Sequence, residues 1–172
     1  MTPTTIDEKM RAWRALMELH ACVVDALERH LQRGGGVALA WYEVLLRLSR
    51  APEASMRMQD LAGVLLLSRS GVTRLADRLE AAGLIERQTC ATDRRGTLAV
   101  LTDAGRDALD RCGPLVVEAL TEHFARHLTK NDAQALLPIL EHVLAASRDA
   151  RDDGEPAASP PRTTSMKLGA AR

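Results

Sequence analysis

The stretch Ser68–Gly96, SRSGVTRLADRLEAAGLIERQTCATDRRG, decides how the chain is read. On a wheel of 3.6 residues per turn, Val72, Leu75, Ala76 and Leu79 fall on one side at i, i+3, i+4 and i+7, the spacing of a buried helix face. Ser70, Thr73, Arg74 and Asp77 fall on the other side. Ser68 stands where an N-cap hydroxyl accepts a free amide hydrogen of the first turn, and Gly83 stands where a left-handed residue ends a helix. The spacing therefore predicts an amphipathic helix with both ends marked.

The polar face is built from short hydrogen-bonding side chains and an arginine, which allow a helix to approach another surface closely. In a DNA major groove an arginine donates two bonds to guanine, while serine and threonine touch base edges, thymine methyls or phosphates. Asp77 can accept from cytosine or steer Arg74, one turn away. Taken alone, the same face suits a structural helix turned to solvent equally well. The residues that follow favour the first reading. Leu84–Cys90 and Thr97–Leu101 can pair as a hairpin, with Leu98 and Val100 on one face, around an Ala91–Gly96 tip that carries Asp93, Arg94 and Arg95. Arginine at the end of a thin hairpin can enter a minor groove, where a narrow A·T tract concentrates negative potential.

The run from Leu61 to Gly105 resembles the MarR (multiple antibiotic resistance regulator) family of bacterial winged-helix transcription factors. The resemblance rests on Ser68-Arg69-Ser70-Gly71-Val72-Thr73-Arg74-Leu75, Asp77-Arg78-Leu79-Glu80, Gly83-Leu84, Asp93-Arg94-Arg95-Gly96 and Leu101-Thr102, and it extends with less specificity from about Asp7 to Ala146. It implies a mainly α fold with a small β-hairpin wing, flanked by N- and C-terminal dimerisation helices. It also implies a homodimer on a pseudo-palindromic double-stranded DNA site, released by a small molecule or an oxidant. The candidate DNA contacts are Ser68, Arg69, Ser70, Thr73, Arg74, Asp77 and Arg78 on the helix, and Asp93, Arg94 and Arg95 on the wing.

Composition alone names no partner. The 172 residues suit one domain with a normal core, and 23 basic side chains balance 23 acidic ones. Distribution is more informative: from Met56 to Thr102 seven arginines meet five acids, and no acid occurs between Leu61 and Ala76. No apolar run reaches the roughly 18–20 residues that span a bilayer, and no basic segment leads into an apolar signal core, so a cytoplasmic protein without membrane partners is expected. Cys22, Cys90 and Cys112 form no C-x-x-C pair, which argues against a disulfide framework or zinc ribbon.

Around the central stretch, Thr5 and Glu8 have the form of a capping box opening a helix over 5–33, closed by Gly34-Gly35-Gly36. A second helix over Ala38–Arg50 carries Trp41, Val44, Leu45 and Leu48 at helical spacing. A loop from Pro52 to Met56 leads to a short helix over about Met58–Leu65, with Leu61, Ala62 and Leu65 inward, and to a turn at Leu66-Leu67. Residues 38–102 thus form the expected DNA-binding core. After it, Thr102 caps a helix from Asp103 to about Leu128, with a kink expected at Gly113-Pro114. Thr129 and Asp132 open another that runs to about Ser147. Val116, Val117, Leu120, Phe124, Leu128, Leu136, Leu137, Leu140, Val143 and Leu144 offer more apolar surface than a small winged domain can cover. The excess reads as a dimer interface formed by 5–33 and 103–147 within a domain spanning 1–148. Residues 149–172, rich in proline, glycine and small polar residues, are expected to be a disordered tail.

In MarR-like proteins the inducer cleft lies between the dimerisation helices and the winged domain, which implicates Trp13, Met17, His20 and Trp41 here and a small aromatic or phenolic inducer. The first three share a face at i, i+4 and i+7, a pattern that also serves plain packing. Cys22, among Leu19, Val23 and Ala26, is expected to be a buried thiol. Oxidant sensing at Cys22, or at Cys90 near Arg87, Arg94 and Arg95, is the alternative the resemblance leaves open. A catalytic reading finds little. His123 and His127 have zinc-like i, i+4 spacing on a helix, but H-F-A-R-H lacks the glutamate of a metalloprotease motif, and no nucleophile elbow, phosphate-binding glycine loop or dinucleotide fingerprint occurs. No enzyme activity, metal or cofactor is expected. A winged helix used only for protein contacts is the remaining competitor, and it would not need arginine on both helix face and wing tip.

Overall fold

The computed structural model of the chain describes residues 3–65, 68–90 and 93–152, with side chains described at 7–65, 68, 70–89 and 96–149. Among the described residues, six α-helices and three strands follow one another as α1 (Pro3–Arg33), α2 (Leu39–Arg50), β1 (Ser55–Arg57), α3 (Met58–Val64), α4 (Arg69–Ala81), β2 (Ile85–Cys90), β3 (Asp93–Leu101), α5 (Asp103–His123) and α6 (Lys130–Asp152). The expected mainly α fold with a hairpin wing is therefore present.

Periodicity places the core where the sequence puts it. Val72, Leu75, Ala76 and Leu79 of α4 are all buried, and they pack with Val44, Leu45 and Leu48 of α2 and Leu61 and Ala62 of α3. The sheet closes this core in the order β1-β3-β2. Strand β1 lies in the segment expected to be a loop. Three residues carry no readable alternation, and their extended form comes from pairing Ser55, Met56 and Arg57 with Val100, Ala99 and Leu98 of β3. In the hairpin Ile85 opposes Leu101 and Thr89 opposes Thr97, and the register shifts between Thr89 and Cys90. The core side of β3 is Ala99 and Leu101; Leu98 and Val100 share the other, half-buried face.

Both caps of α4 form. Ser68 Oγ accepts from the Gly71 amide at 3.1 Å. At the other end the Leu84 amide donates to Leu79 O and the Gly83 amide to Glu80 O, with Gly83 at φ +72°, the paired bonds of a Schellman stop. Leu79 and Leu84 are both buried, so the apolar contact that accompanies this motif is available. The start of α5 is locked onto the same place. Thr102 Oγ1 accepts from the Gly105 amide at 3.0 Å and donates to Gly83 O at 2.7 Å. Gly105 lies against the backbone so closely that a Cβ there would stand 2.1 Å from Leu84 O.

The outer helices differ more from expectation. Helix α1 starts at Pro3, ahead of the expected cap at Thr5, so Thr5 lies within the helix. Its C-terminal half joins α5 in a second core of Leu27, Leu31, Leu39, Cys112, Val116 and Ala119. Glu28 Oε1 accepts from the Leu39 amide at 3.2 Å, which ties α1 to the uncapped start of α2. Every described side chain from Asp7 to Cys22 is exposed, however, and Cys22 is not the buried thiol its apolar neighbours suggest. Of those neighbours Val23 packs against the second core and Ala26 is buried, whereas Leu19 is exposed as Cys22 is.

Helix α5 runs unbroken through Gly113-Pro114 but ends at His123, about one turn before the expected Leu128, because Phe124 leaves the helical region at φ −138°, ψ −64°. His127 consequently sits in a 3-10 turn over Ala125–His127, and the expected i, i+4 pairing with His123 on one helix is not made. Helix α6 opens as expected: Asp132 Oδ2 accepts from the Thr129 amide and hydroxyl, and its own amide donates to Thr129 Oγ1. Those bonds hold the Asp132 carboxyl below its ordinary value, the hydroxyl bond first and the amide bond second. The helix continues to Asp152, past the expected end at Ser147, so residues 149–152 are helical. The rest of the expected tail, 153–172, and the expected turn Leu66-Leu67 lie outside the described residues.

Replacing Gly105 by alanine should lower stability by about 3 kcal/mol, since either α5 or the Gly83–Leu84 turn must shift to admit the methyl group. Urea unfolding of the variant measures this directly; a midpoint equal to the parent's would show that the helix approaches the turn less closely.

Candidate nucleic-acid interface

With its apolar face sealed in the core, α4 turns Ser70, Thr73, Arg74, Asp77 and Arg78 outward, and all five are exposed. Ser68 is only half-buried, yet its oxygen is engaged by the cap and lies 3.2 Å from Ser70 Oγ. Arg69 is in the first turn of α4, and Asp93, Arg94 and Arg95 open β3 at the hairpin end; the side chains of these four lie outside the described residues.

Asp77 has a partner within the chain that its spacing does not point to. Its carboxylate accepts from Arg87 Nη2 of β2 at 2.5 Å, so it is steered by the wing and does not steer Arg74. Arg87 is the functional residue that sequence reasoning passed over. Its Nη2 also reaches Thr73 O at 3.4 Å, its Nε lies 3.5 Å from Glu80 Oε2, and its backbone amide donates to Glu80 Oε1 at 3.1 Å. One guanidinium therefore holds two carboxylates and a carbonyl of α4 and fixes the hairpin's angle to the helix. Its planar fork suits this better than a lysine ammonium would. The only signal in the sequence was an arginine within a short strand, and nothing local to β2 says that its partners lie 7 to 14 residues earlier.

Arg74 and Arg78 remain exposed, without an ion pair among the described residues. They line an open groove of about 590 Å³ together with Ala40, Gly71, Leu75 and Asp77. None of the four expected inducer residues lines that groove. Trp13 is 54% exposed on α1, Met17 and His20 are exposed beside it, and Trp41 is half-buried against the winged-helix core.

A helix-turn-helix whose second helix carries exposed arginines, followed by a hairpin clamped to that helix, defines a winged helix-turn-helix protein. The MarR family model matches residues 35–96, which cover α2 through the start of β3. The multiple antibiotic resistance protein MarR of Escherichia coli K12 is 31% identical over 108 residues, 63% of this chain and 74% of that protein. Two solved structures from Streptomyces coelicolor are similar over most of their length. Sco3205, a MarR family transcriptional regulator solved in complex with DNA, shares 32% identity with a TM-score of 0.75, over 81% of this chain and 88% of its own. AbsC, another MarR family transcriptional regulator, shares 34% identity with a TM-score of 0.70, over 84% and 97%. The chain belongs to the MarR family.

The Arg87–Asp77 pair should show a coupling of about 0.5–1 kcal/mol in a double-mutant cycle with Arg87→Ala and Asp77→Ala, modest because Asp77 is half open to solvent. Additive stabilities in that cycle would remove the clamp.

Proposed function

We propose that this chain is a sequence-specific DNA-binding transcriptional regulator, a repressor that holds a pseudo-palindromic operator as a homodimer in the cytoplasm and releases it when a small molecule binds. The exposed face of α4 carries the proposal: short side chains at Ser70 and Thr73 beside Arg74 and Arg78, on a helix whose other side is fixed in the core. Sco3205, similar over 81% of this chain, was solved in complex with DNA, which supports the same use here. Arg74 and Arg78 suit guanine edges or phosphates, and Arg69 and Ser70 lie at the helix N-terminus, where phosphate oxygens are favoured. Arg94 and Arg95, in β3 at the hairpin end, suit an adjacent minor groove. Arg87, set between Asp77 and Glu80, offsets their charge on a surface that approaches phosphate.

The dimer is supported by the apolar surface that the single chain leaves uncovered. Met10, Trp13, Leu16 and Leu19 on α1, Val117 and Leu120 on α5, and Leu137, Ile139, Leu140, Val143 and Leu144 on α6 are each more than a third exposed. Exposed apolar side chains in this number mark an interaction surface. Among the described residues no helix is long and apolar enough to cross a membrane. A second copy related by a dyad covers these apolar side chains and carries two α4 helices to successive major grooves, about 34 Å apart. Trp13, Met17 and His20, exposed in one chain, then have a partner surface with which to form an inducer site near Trp41. An inducer acts there only through its differential affinity for the DNA-competent and released spacings. The exposure of Cys22 on the same helix favours oxidant release as the second reading.

On a duplex containing the operator, log affinity should fall linearly with log salt as counterions are released. Arg74→Ala should lose about 1–3 kcal/mol at one base position, whereas Arg95→Ala should weaken chiefly sites with narrow minor grooves. Binding isotherms on single-base variants measure both; parent-like isotherms for the two variants would overturn the docking, and peroxide treatment of parent and Cys22→Ser separates the oxidant reading from ligand release.

A further inference from the structure

The end of α5 carries a cluster that reading DNA does not use. Glu122 and His123 close that helix, and His30 faces them from the last turn of α1. His30 Nε2 lies 3.4 Å from Glu122 Oε2, His123 Nε2 lies 3.8 Å from the same oxygen, and the three ligand atoms are within 4.8 Å of one another. An N–H···O hydrogen bond closes to about 2.7–3.2 Å, so the trio is spread too widely to be held by good hydrogen bonds. Ligand atoms placed about 2.0–2.2 Å from a tetrahedral zinc ion stand about 3.4 Å apart, and two edges of this triangle come close to that separation.

The tautomer fits as well. His30 Nδ1 lies 3.0 Å from Ala26 O. A carbonyl only accepts, so Nδ1 carries the hydrogen, and in the neutral ring Nε2 presents its lone pair to the cluster. A backbone carbonyl on the far nitrogen is the outer contact that commonly orients a metal-bound imidazole. The His30 side chain is 13% exposed and meets the His123 ring edge to face at 5.6 Å, which restrains both rings before any ion arrives. The lone pair then looks onto a carboxylate oxygen that also needs a positive partner, and a cation between them satisfies both.

We propose that His30, Glu122 and His123 bind one divalent ion of the zinc class, with solvent in the remaining position. Two imidazoles and one carboxylate suit zinc and its first-row neighbours better than calcium or magnesium, which favour all-oxygen shells. The ion ties α1 to α5 at the residue before Phe124, where the backbone leaves the helix on its way to α6. It thereby stiffens the junction of the three outer helices. Sequence spacing gives no warning of it, because His30 and Glu122 are 92 positions apart, and the histidine spacing it does show, His123 and His127, gives no reason to expect a metal.

The test uses the full chain without a histidine tag, freed of metal and titrated with zinc chloride against a chromophoric chelator. One ion per chain is expected, and Glu122→Gln and His123→Gln should each weaken binding by about tenfold or more. Zinc should raise the thermal midpoint of the parent and leave both variants unmoved, while the metal-free midpoints of all three agree, since Glu122 and His123 are partly open to solvent. Cobalt(II) should give visible bands of nitrogen and oxygen ligation without thiolate charge transfer, which separates this site from Cys22. Absence of stoichiometric zinc binding, or binding kept at full strength by the Glu122→Gln/His123→Gln double variant, would overturn the assignment.

Discussion

The carbonyl of Leu84 and the α-carbon of Gly105 meet so closely that no side chain fits between them, and three parts of the protein are joined at that contact. Leu84 ends the stop that closes α4, it precedes the hairpin, and Gly105 opens the helix that leads outward. The Thr102 hydroxyl, accepting from one side and donating to the other, holds the contact in register. A reading helix, a wing and an outer helix pinned at one point cannot move independently. The Arg87 guanidinium adds a second tie between the first two, some way along the hairpin. A displacement at the outer end of α5 must therefore travel to α4 as a rigid rotation, since packed interiors transmit strain and do not absorb it.

How much of this the sequence discloses depends on whether the physical cause is local. Helix α4 was legible in full, because its apolar period, its Ser68 cap and its Gly83 stop are written within sixteen consecutive residues. The caps at Thr102 and Thr129 were legible for the same reason. Strand β1 was not, since three residues acquire their form only from β3, some forty positions later. The end of α5 was misread because apolar spacing continues through Phe124 and Leu128 although the backbone turns at Phe124. Cys22 does not follow its apolar neighbours inward: Val23 packs on the second core and Ala26 is buried, while Cys22 and Leu19 lie on the exposed side of the helix, and short apolar runs do not tell the two sides apart. On the site itself, the outward residues of α4 followed directly from its inward ones. Arg87 and its partners, like His30 and Glu122, join elements that the sequence keeps apart.

The division of labour between the two cores has a functional sense. One core, built on α2, α3, α4 and the sheet, fixes the shape of the exposed α4 face. The other, where α1 meets α5, leaves the α1 side chains of 7–22 exposed, with Val117 and Leu120 of α5, and is linked to the first through Val37, whose amide donates to the buried Cys112 thiol at 3.4 Å. On the proposed reading, affinity for a single half-site is a property of the first core, and the distance between half-sites is a property of the second. Regulation then needs no change in the reading surface. A ligand, an oxidant or an ion that alters how the outer helices meet changes only the spacing, and a dimer with mismatched spacing loses one of its two contacts.

The direct measurement is selection of bound duplexes from a library in which two half-sites are separated by every spacing across two helical turns. The account predicts a sharp optimum with half-site centres about 34 Å apart on one face of the duplex. It predicts that disrupting the outer apolar surface with Leu140→Asp and Val143→Asp abolishes the optimum while leaving weak half-site preference intact. Enrichment that is independent of spacing, or an optimum unchanged in that variant, would contradict it.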